Sequence, residues 1–325
     1  MDEKSLQVLE YHKVLARLAG YCAFSASVEQ AEALRPSTDY LESLRMQAQT
    51  GEARRLLESS PGTGVGGARD VRPQVEAASR GGVLLPTDLL DVKGTLVSAR
   101  NLGRLFDRQQ SEYPHLAEIA ADFPEPTGLV DAISRTVSDR GEVLDSASER
   151  LRAVRAELRQ VHDRLLARLQ KMVSSPNVAP YLQENLVTQR DGRYVIPLRA
   201  EFKGKVKAIV HDQSASGATL FIEPLSVVEQ NNRYRELQLA ERDEEQRVLA
   251  ELSGRIGAHA KDLTALVDTL AALDLVFAKA QYADHLEATE PTLHPMRGAR
   301  APTSPDARLP TSPDARAPTS PDARL

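Results

Sequence analysis

Between residues 190 and 207 the chain carries Arg190, Arg193, Arg199, Lys203, Lys205 and Lys207 against only Asp191 and Glu201, a local charge of +4. Lys203, Lys205 and Lys207 are spaced by two, so an extended strand would set all three on one face. Such a row matches the repeating charge of a phosphate backbone, and the chemistry it predicts is nucleic-acid binding without base specificity. The same row also suits a sheet edge guarded by lysines against aggregation. His211 and the stretch Ser214–Gly217 are read as shaping an adjoining loop. His211, Asp212, Ser214 and Ser216 carry the letters of a hydrolase triad, but triad members normally come from separated segments. Neighbours on a strand point to opposite faces, so a Ser- and Gly-rich turn is the expectation there. Tyr194 and Phe202 alternate with apolar neighbours and are assigned to the core rather than to base stacking.

Other chemistries find no support. Gly62–Gly67 formally matches G-x-G-x-x-G, yet a charged helix precedes it and Arg69–Pro73 follows, not the strand and helix that a nucleotide loop requires. No G-x-x-x-x-G-K-[ST] occurs in the chain. The seven histidines form no ligand-spaced pair, and a single cysteine, Cys22, rules out a disulfide framework or a multi-cysteine zinc site. We therefore expect no catalytic residue, no metal ligand and no cofactor site in this chain. The acidic start and the lack of a long apolar run lead us to expect a cytoplasmic protein with no membrane partner.

The elements that must hold the cationic stretch follow from periodicity. Residues 1–130 read as short helices forming a helical core, punctuated by Pro36, Pro61 and Pro86, with Thr87 or Asp88 expected to cap the helix after Pro86. Residues 131–185 contain a connector and a first long helix. Its seam is Leu151, Val154, Leu158, Val161, Leu165, Leu169 and Met172, and Ser146 with Glu149 has capping-box spacing. A second seam runs through Leu237, Val248, Leu252, Ile256, Leu263, Leu266, Leu270, Leu273 and Phe277. It predicts one long lever helix within 226–295, about 90 Å long at 1.5 Å per residue if continuous from about 226 to 286. Between the two, 186–225 switches to period two, with Asp191-Gly192 as a hairpin signal. The fold class expected is mainly α: a helical body and a long antiparallel coiled-coil arm carrying a small β-sheet tip. Residues 296–325 are read as a disordered tail, in which three proline-rich octapeptide copies run from Ala301 and end before Leu325.

These features occur in an order that resembles one family. TQRDGRYVIPLRAEFKGKVKAIVHDQSASGATLFIEPLSVVEQNN is similar to the signature stretch of the bacterial MutS-like family of the second type, MutS-II. LEYHKVLARLAGYCAFSAS, DRGEVLDSASERLRAVR and ALDLVFAKAQYA match as well, so the resemblance covers roughly residues 5–298. It implies the family's core, lever helices and clamp, and with them a place in recombination suppression, DNA repair and ribosome rescue. Implied partners are double-stranded DNA or ribosomal RNA on ribosomes, and a homodimer or a full-length family partner. The clamp contacts implied are Arg190, Arg193, Arg199, Lys203, Lys205, Lys207 and His211. Full-length members use ATP and carry a nuclease domain of the Smr type. No residue here matches either motif, so this chain reads as a truncated member without ATPase or nuclease function. The alternatives are a structural or protein-interaction coiled-coil module, or a non-functional remnant of a disrupted gene.

Overall fold

Leu, Val and Ala recur at helical spacing between the prolines of the first 130 residues, and each such stretch closes into a helix. The computed structural model describes residues 3–124 and 128–295; the expected tail over 296–325 lies outside the described residues. The body contains α1 (Glu3–Val8), α2 (Tyr11–Ala19), α3 (Ser25–Glu32), α4 (Tyr40–Ser59), α5 (Arg72–Ser79), α6 (Pro86–Arg108), α7 (Pro114–Ala120) and α8 (Leu129–Thr136). Then follow α9 (Glu149–Val173), the strands β1 (Thr188–Arg190), β2 (Arg193–Arg199), β3 (Ala208–Gln213) and β4 (Thr219–Pro224), and finally α10 (Val228–Ala258) and α11 (Ala260–His285). The fold is mainly helical, with one small antiparallel sheet. No helix among the described residues is long and apolar enough to cross a membrane.

Local chemistry sets several boundaries. Asp39 caps α4 by accepting from the Leu41 and Glu42 amides. Pro86 itself opens α6, so neither Thr87 nor Asp88 is its cap; Asp88 sits in the first turn and accepts from the Leu85 amide at 3.0 Å. Ser148, not Ser146, caps α9 by accepting from the Leu151 amide at 2.9 Å. Ser146 Oγ instead donates to the Arg135 carbonyl.

The single helix expected over 226–295 is two helices that meet at His259 and end at His285. The second seam is buried throughout, but it serves two cores. Leu237 and Val248 lie on the arm, whereas Leu252, Ile256, Leu263, Leu266, Leu270, Leu273 and Phe277 belong to the body's core. Breaking the helix lets α11 run through the body, where it is buried on all sides from Leu273 to Ala278. Asp274 is buried there and serves the start of α3 from a distance, accepting from the Ala23 amide at 2.7 Å and from Ser27 Oγ. Burial holds its carboxyl above the usual range, and burial together with Asp274 pushes the nearby Cys22 thiol up to about 11. That thiol is no nucleophile at neutral pH.

Where α10 crosses α5 the backbones touch. A Cβ at Gly257 would stand 2.6 Å from the Ala78 carbonyl oxygen and 2.9 Å from Ser79 Cα. Gly257→Ala should therefore destabilise the chain by about 1–3 kcal/mol, seen as a lower urea midpoint at unchanged slope.

The arm is α9 laid against the first two thirds of α10. Its paired residues run in opposite senses, Ser148 to Glu244 at one end and Glu157 to Arg233 further out, so the two helices are antiparallel. Arg155 ties the base, binding Asp145, Glu241 and Glu245 at 2.7, 2.7 and 2.5 Å. Glu244, a polar residue in the seam, is buried and accepts from Arg247 and from Ser148 Oγ. The Arg247 hydrogen bond, helped by Ser148, lowers its carboxyl from 4.5 to about 2. Its stabilising share is thus in place above about 4.5 and drains as pH falls toward about 2. Wild type should lose its thermal-stability advantage over Glu244→Gln across that window, measured as the difference in Tm against pH.

Candidate nucleic-acid interface

At the far end of the arm the chain switches from helix to sheet. Asp191 and Gly192 have φ of 47° and 76°, the two left-handed positions that a two-residue hairpin turn demands, and they join β1 to β2. The strand order is β1-β2-β4-β3, all neighbours antiparallel. One sheet face, carrying Ile196, Leu198, Leu220 and Ile222, packs on Leu165, Leu169 and Val173 of α9 and on Val227. This cluster is separate from the body's core.

Two polar joints hold the sheet to the arm. Asn231, fully buried in the first turn of α10, donates to the Tyr194 carbonyl and accepts from the Tyr194 amide, both at 3.0 Å, as a neighbouring strand would. The rings of His162, Tyr194 and Tyr234 lie 5.4–5.6 Å apart, and His162 Nε2 is 2.8 Å from the Tyr194 hydroxyl. Tyr194 is thus a packing residue, as is Phe202, whose ring lies 5.0 Å from that of Tyr181. Burial raises the Tyr194 phenol above its ordinary range.

The expected cationic cluster separates into two groups. By strand register, Arg190, Arg193 and Arg199 share the sheet face opposite the arm, with Phe221 and Glu223. Arg190 lies across that face, its guanidinium 4.0 Å above the Phe221 ring and its Nε 3.1 Å from Asp212. Arg193 binds both oxygens of Glu223 at 2.9 and 3.1 Å and also Asn232 at 2.7 Å. His211 Nε2 is 2.5 Å from the other side of the same carboxylate, which is fully buried. A β-bulge between Val210 and Asp212 aims His211 this way. It also corrects the alternation argument, because His211 and Asp212 both engage groups of the same face. Ser214 Oγ accepts from the Thr219 amide and stands 3.4 Å from Ser216 Oγ, so these serines build the turn.

The lysines lie elsewhere. β3 runs parallel to β2 with β4 between them, so residues 200–207 must cross from one end of the sheet to the other. Phe202 and Val206 pack inward onto the cluster beneath the sheet, which places this crossover on the arm side. The extended strand expected over Lys203–Lys207 is absent. Residues Ala200–Phe202 form a 3-10 turn, the Lys203 and Lys205 amides donate to the Ala200 and Phe202 carbonyls, and Gly204 adopts φ of 88°. The left-handed backbone at Gly204 turns the chain between Phe202 and Val206, both of which pack on the cluster. Lys203, Lys205 and Lys207 are exposed on this crossover, and Arg199 is exposed at its root. None of the four makes an ion pair among the described residues, whereas Arg190 and Arg193 do and His211 contacts the Glu223 carboxylate. Periodicity carried no sign of Glu223, Asn231 or Asn232. The only available signal was the charge of Glu223 within an apolar strand run, TLFIEP.

The arrangement offers four exposed cations with no ion pair among the described residues, Arg199, Lys203, Lys205 and Lys207, beside Arg190 and Arg193, which are paired. No group of His, Cys, Asp and Glu suited to a metal ion occurs among the described residues. No family model matches the chain. It is 41% identical over 293 residues to Endonuclease MutS2 of Pelotomaculum thermopropionicum, covering 90% of this chain and 37% of that protein. It is 42% identical over 305 residues to Endonuclease MutS2 of Thermomicrobium roseum, covering 93% and 38%, and 42% identical over 293 residues to that of Symbiobacterium thermophilum. The chain is therefore homologous to bacterial MutS2 proteins over about 90% of its length, and it spans less than two fifths of the curated relatives it matches.

Proposed function

We propose that this chain is the core, lever and clamp part of a MutS2-type protein, and that the crossover at its tip grips the sugar-phosphate backbone of a nucleic acid. In this reading residues 1–130 are the core, 131–185 and 226–295 the connector and levers, with α9 and α10 a coiled-coil arm, and 186–225 the clamp. The observation that carries it is the set Arg199, Lys203, Lys205 and Lys207, exposed and unpaired among the described residues at the far end of the arm. Ions already held by Asp212 and Glu223 offer a phosphate less than free ones do, so these four bear the contact, and Arg190, Arg193 and His211 shape the platform. Double-stranded DNA and ribosomal RNA share the backbone chemistry, and either would serve the roles that the resemblance implies in recombination suppression or ribosome rescue.

The test is equilibrium binding of the full chain to a random-sequence DNA duplex and to ribosomes over a salt series. Four phosphate contacts predict a log K against log [salt] slope of at least about −3.6 in magnitude on duplex DNA. Binding to neither target, or binding indifferent to salt, overturns the reading.

A further inference from the structure

The arginines and lysines of α9 are not distributed evenly in their pairing. Near the base Arg150 faces Glu244, Arg155 holds three carboxylates and Arg159 reaches Asp145, with Arg152 exposed and without an ion pair among the described residues. In the outer half the pattern changes. Arg164, Arg168 and Lys171 are all exposed, and none makes an ion pair among the described residues. Their spacing of four and three sets them on one helical stripe. The last acid of α9 is Asp163, one residue before the stripe and a quarter-turn round the helix, where it stands 3.6 Å from His162. Toward the base the same stripe ends at Glu157, which Arg233 of α10 neutralises at 2.7 Å.

The stripe is not spent on packing. The opposite flank of this half of α9, Leu165, Leu169 and Val173, holds the sheet, and the crossover bearing Lys203, Lys205 and Lys207 covers the same cluster. The outer arm and the crossover are thus one packed unit with unpaired cations on both parts. Seven rises of 1.5 Å from Arg164 to Lys171 make the stripe about 10 Å long, the axial span of about three phosphates of one duplex strand.

We infer that Arg164, Arg168 and Lys171 form a second phosphate-binding track along the outer arm, so that a nucleic acid held at the tip is also held along α9. This rests on the proposed tip contact and extends it by a separate set of residues.

The test is the triple variant Arg164→Gln, Arg168→Gln, Lys171→Gln in the full chain, compared with wild type on a DNA duplex and on an RNA duplex of the same sequence. Loss of three contacts should make the slope of log K against log [salt] shallower by about 2.7. A change on one duplex only identifies which nucleic acid the track takes. A companion with Arg164→Lys and Arg168→Lys keeps the charge and should keep the wild-type slope. Unchanged helical circular dichroism shows that the variants are folded. If the triple variant keeps the wild-type slope while substitution of the tip lysines lowers it, the track is refuted and the tip stands. If the triple variant and the lysine companion lose slope equally, the effect is not one of charge and the track is refuted as well. Wild type without salt-dependent binding removes the tip reading and the track together.

Discussion

Replacing Lys203, Lys205 and Lys207 by glutamine is expected to weaken binding to duplex DNA by on the order of 10²–10³ at about 0.1 M salt. The size follows from counterion release, in which each phosphate contact contributes about 0.9 to the slope of log K against log [salt]. The variant should therefore also bind with a slope shallower by about 2.7, and its affinity should approach that of wild type as salt approaches about 1 M. The fold should be unaffected, because all three side chains are exposed and unpaired while Phe202 and Val206 hold the crossover in place. The same substitution at Arg190 is expected to do less, since its charge is already shared with Asp212 and the Phe221 ring. Equal losses from Arg190→Gln and from the lysine variant would refute the division into free and engaged cations.

Glu223→Ala should cost about 2–3 kcal/mol of local stability and open the sheet without opening the body. The carboxylate is fully buried and holds Arg193 through both oxygens and His211 through one. Its removal strands two polar groups that now share it. Arg193 keeps Asn232 and is 29% exposed, so water repays part of the loss, which sets the figure below that of a wholly buried pair. The sheet has its own apolar cluster, distinct from the body's, and can open alone. Amide exchange should accelerate across β3 and β4 and stay unchanged in α11. Unaltered protection in β3 and β4 would show that this triad does not hold the tip, and Glu223→Gln, which retains hydrogen bonding, should fall between wild type and alanine.

Both expectations depend on a distinction that the letters alone do not carry. Arg193 and Arg199 sit on one strand six residues apart, with the same side-chain type and the same sheet face. One is held by a carboxylate 30 residues away, and the other is free among the described residues. The lysine spacing suggested a strand row, because period two is the signature of an extended chain. What overrode it was topology. β3 runs parallel to β2, so the connection had to cross the sheet and turn Phe202 and Val206 inward.

Features that depend on neighbours in the chain could be read directly. Leu, Val and Ala at helical spacing announce the helices, since burying one stripe needs only local periodicity. Asp191-Gly192 announces its hairpin, since both residues tolerate the left-handed backbone that the turn requires. The place of the tip between two long helices follows from the same reasoning. Features that depend on distant partners were decided only by the tertiary structure. Asp274 holds the Ala23 amide just ahead of α3 from 251 residues away, and a buried Glu244 holds the cap of α9 from 96 residues away. The seam looked continuous because it is apolar on one stripe, yet Leu237 and Val248 lie on the arm while Leu252 to Phe277, on both sides of His259, are buried in the body's core. Charge is the sharpest case: composition counts ions, but only the folded chain decides which of them find a partner and which remain for a polyanion.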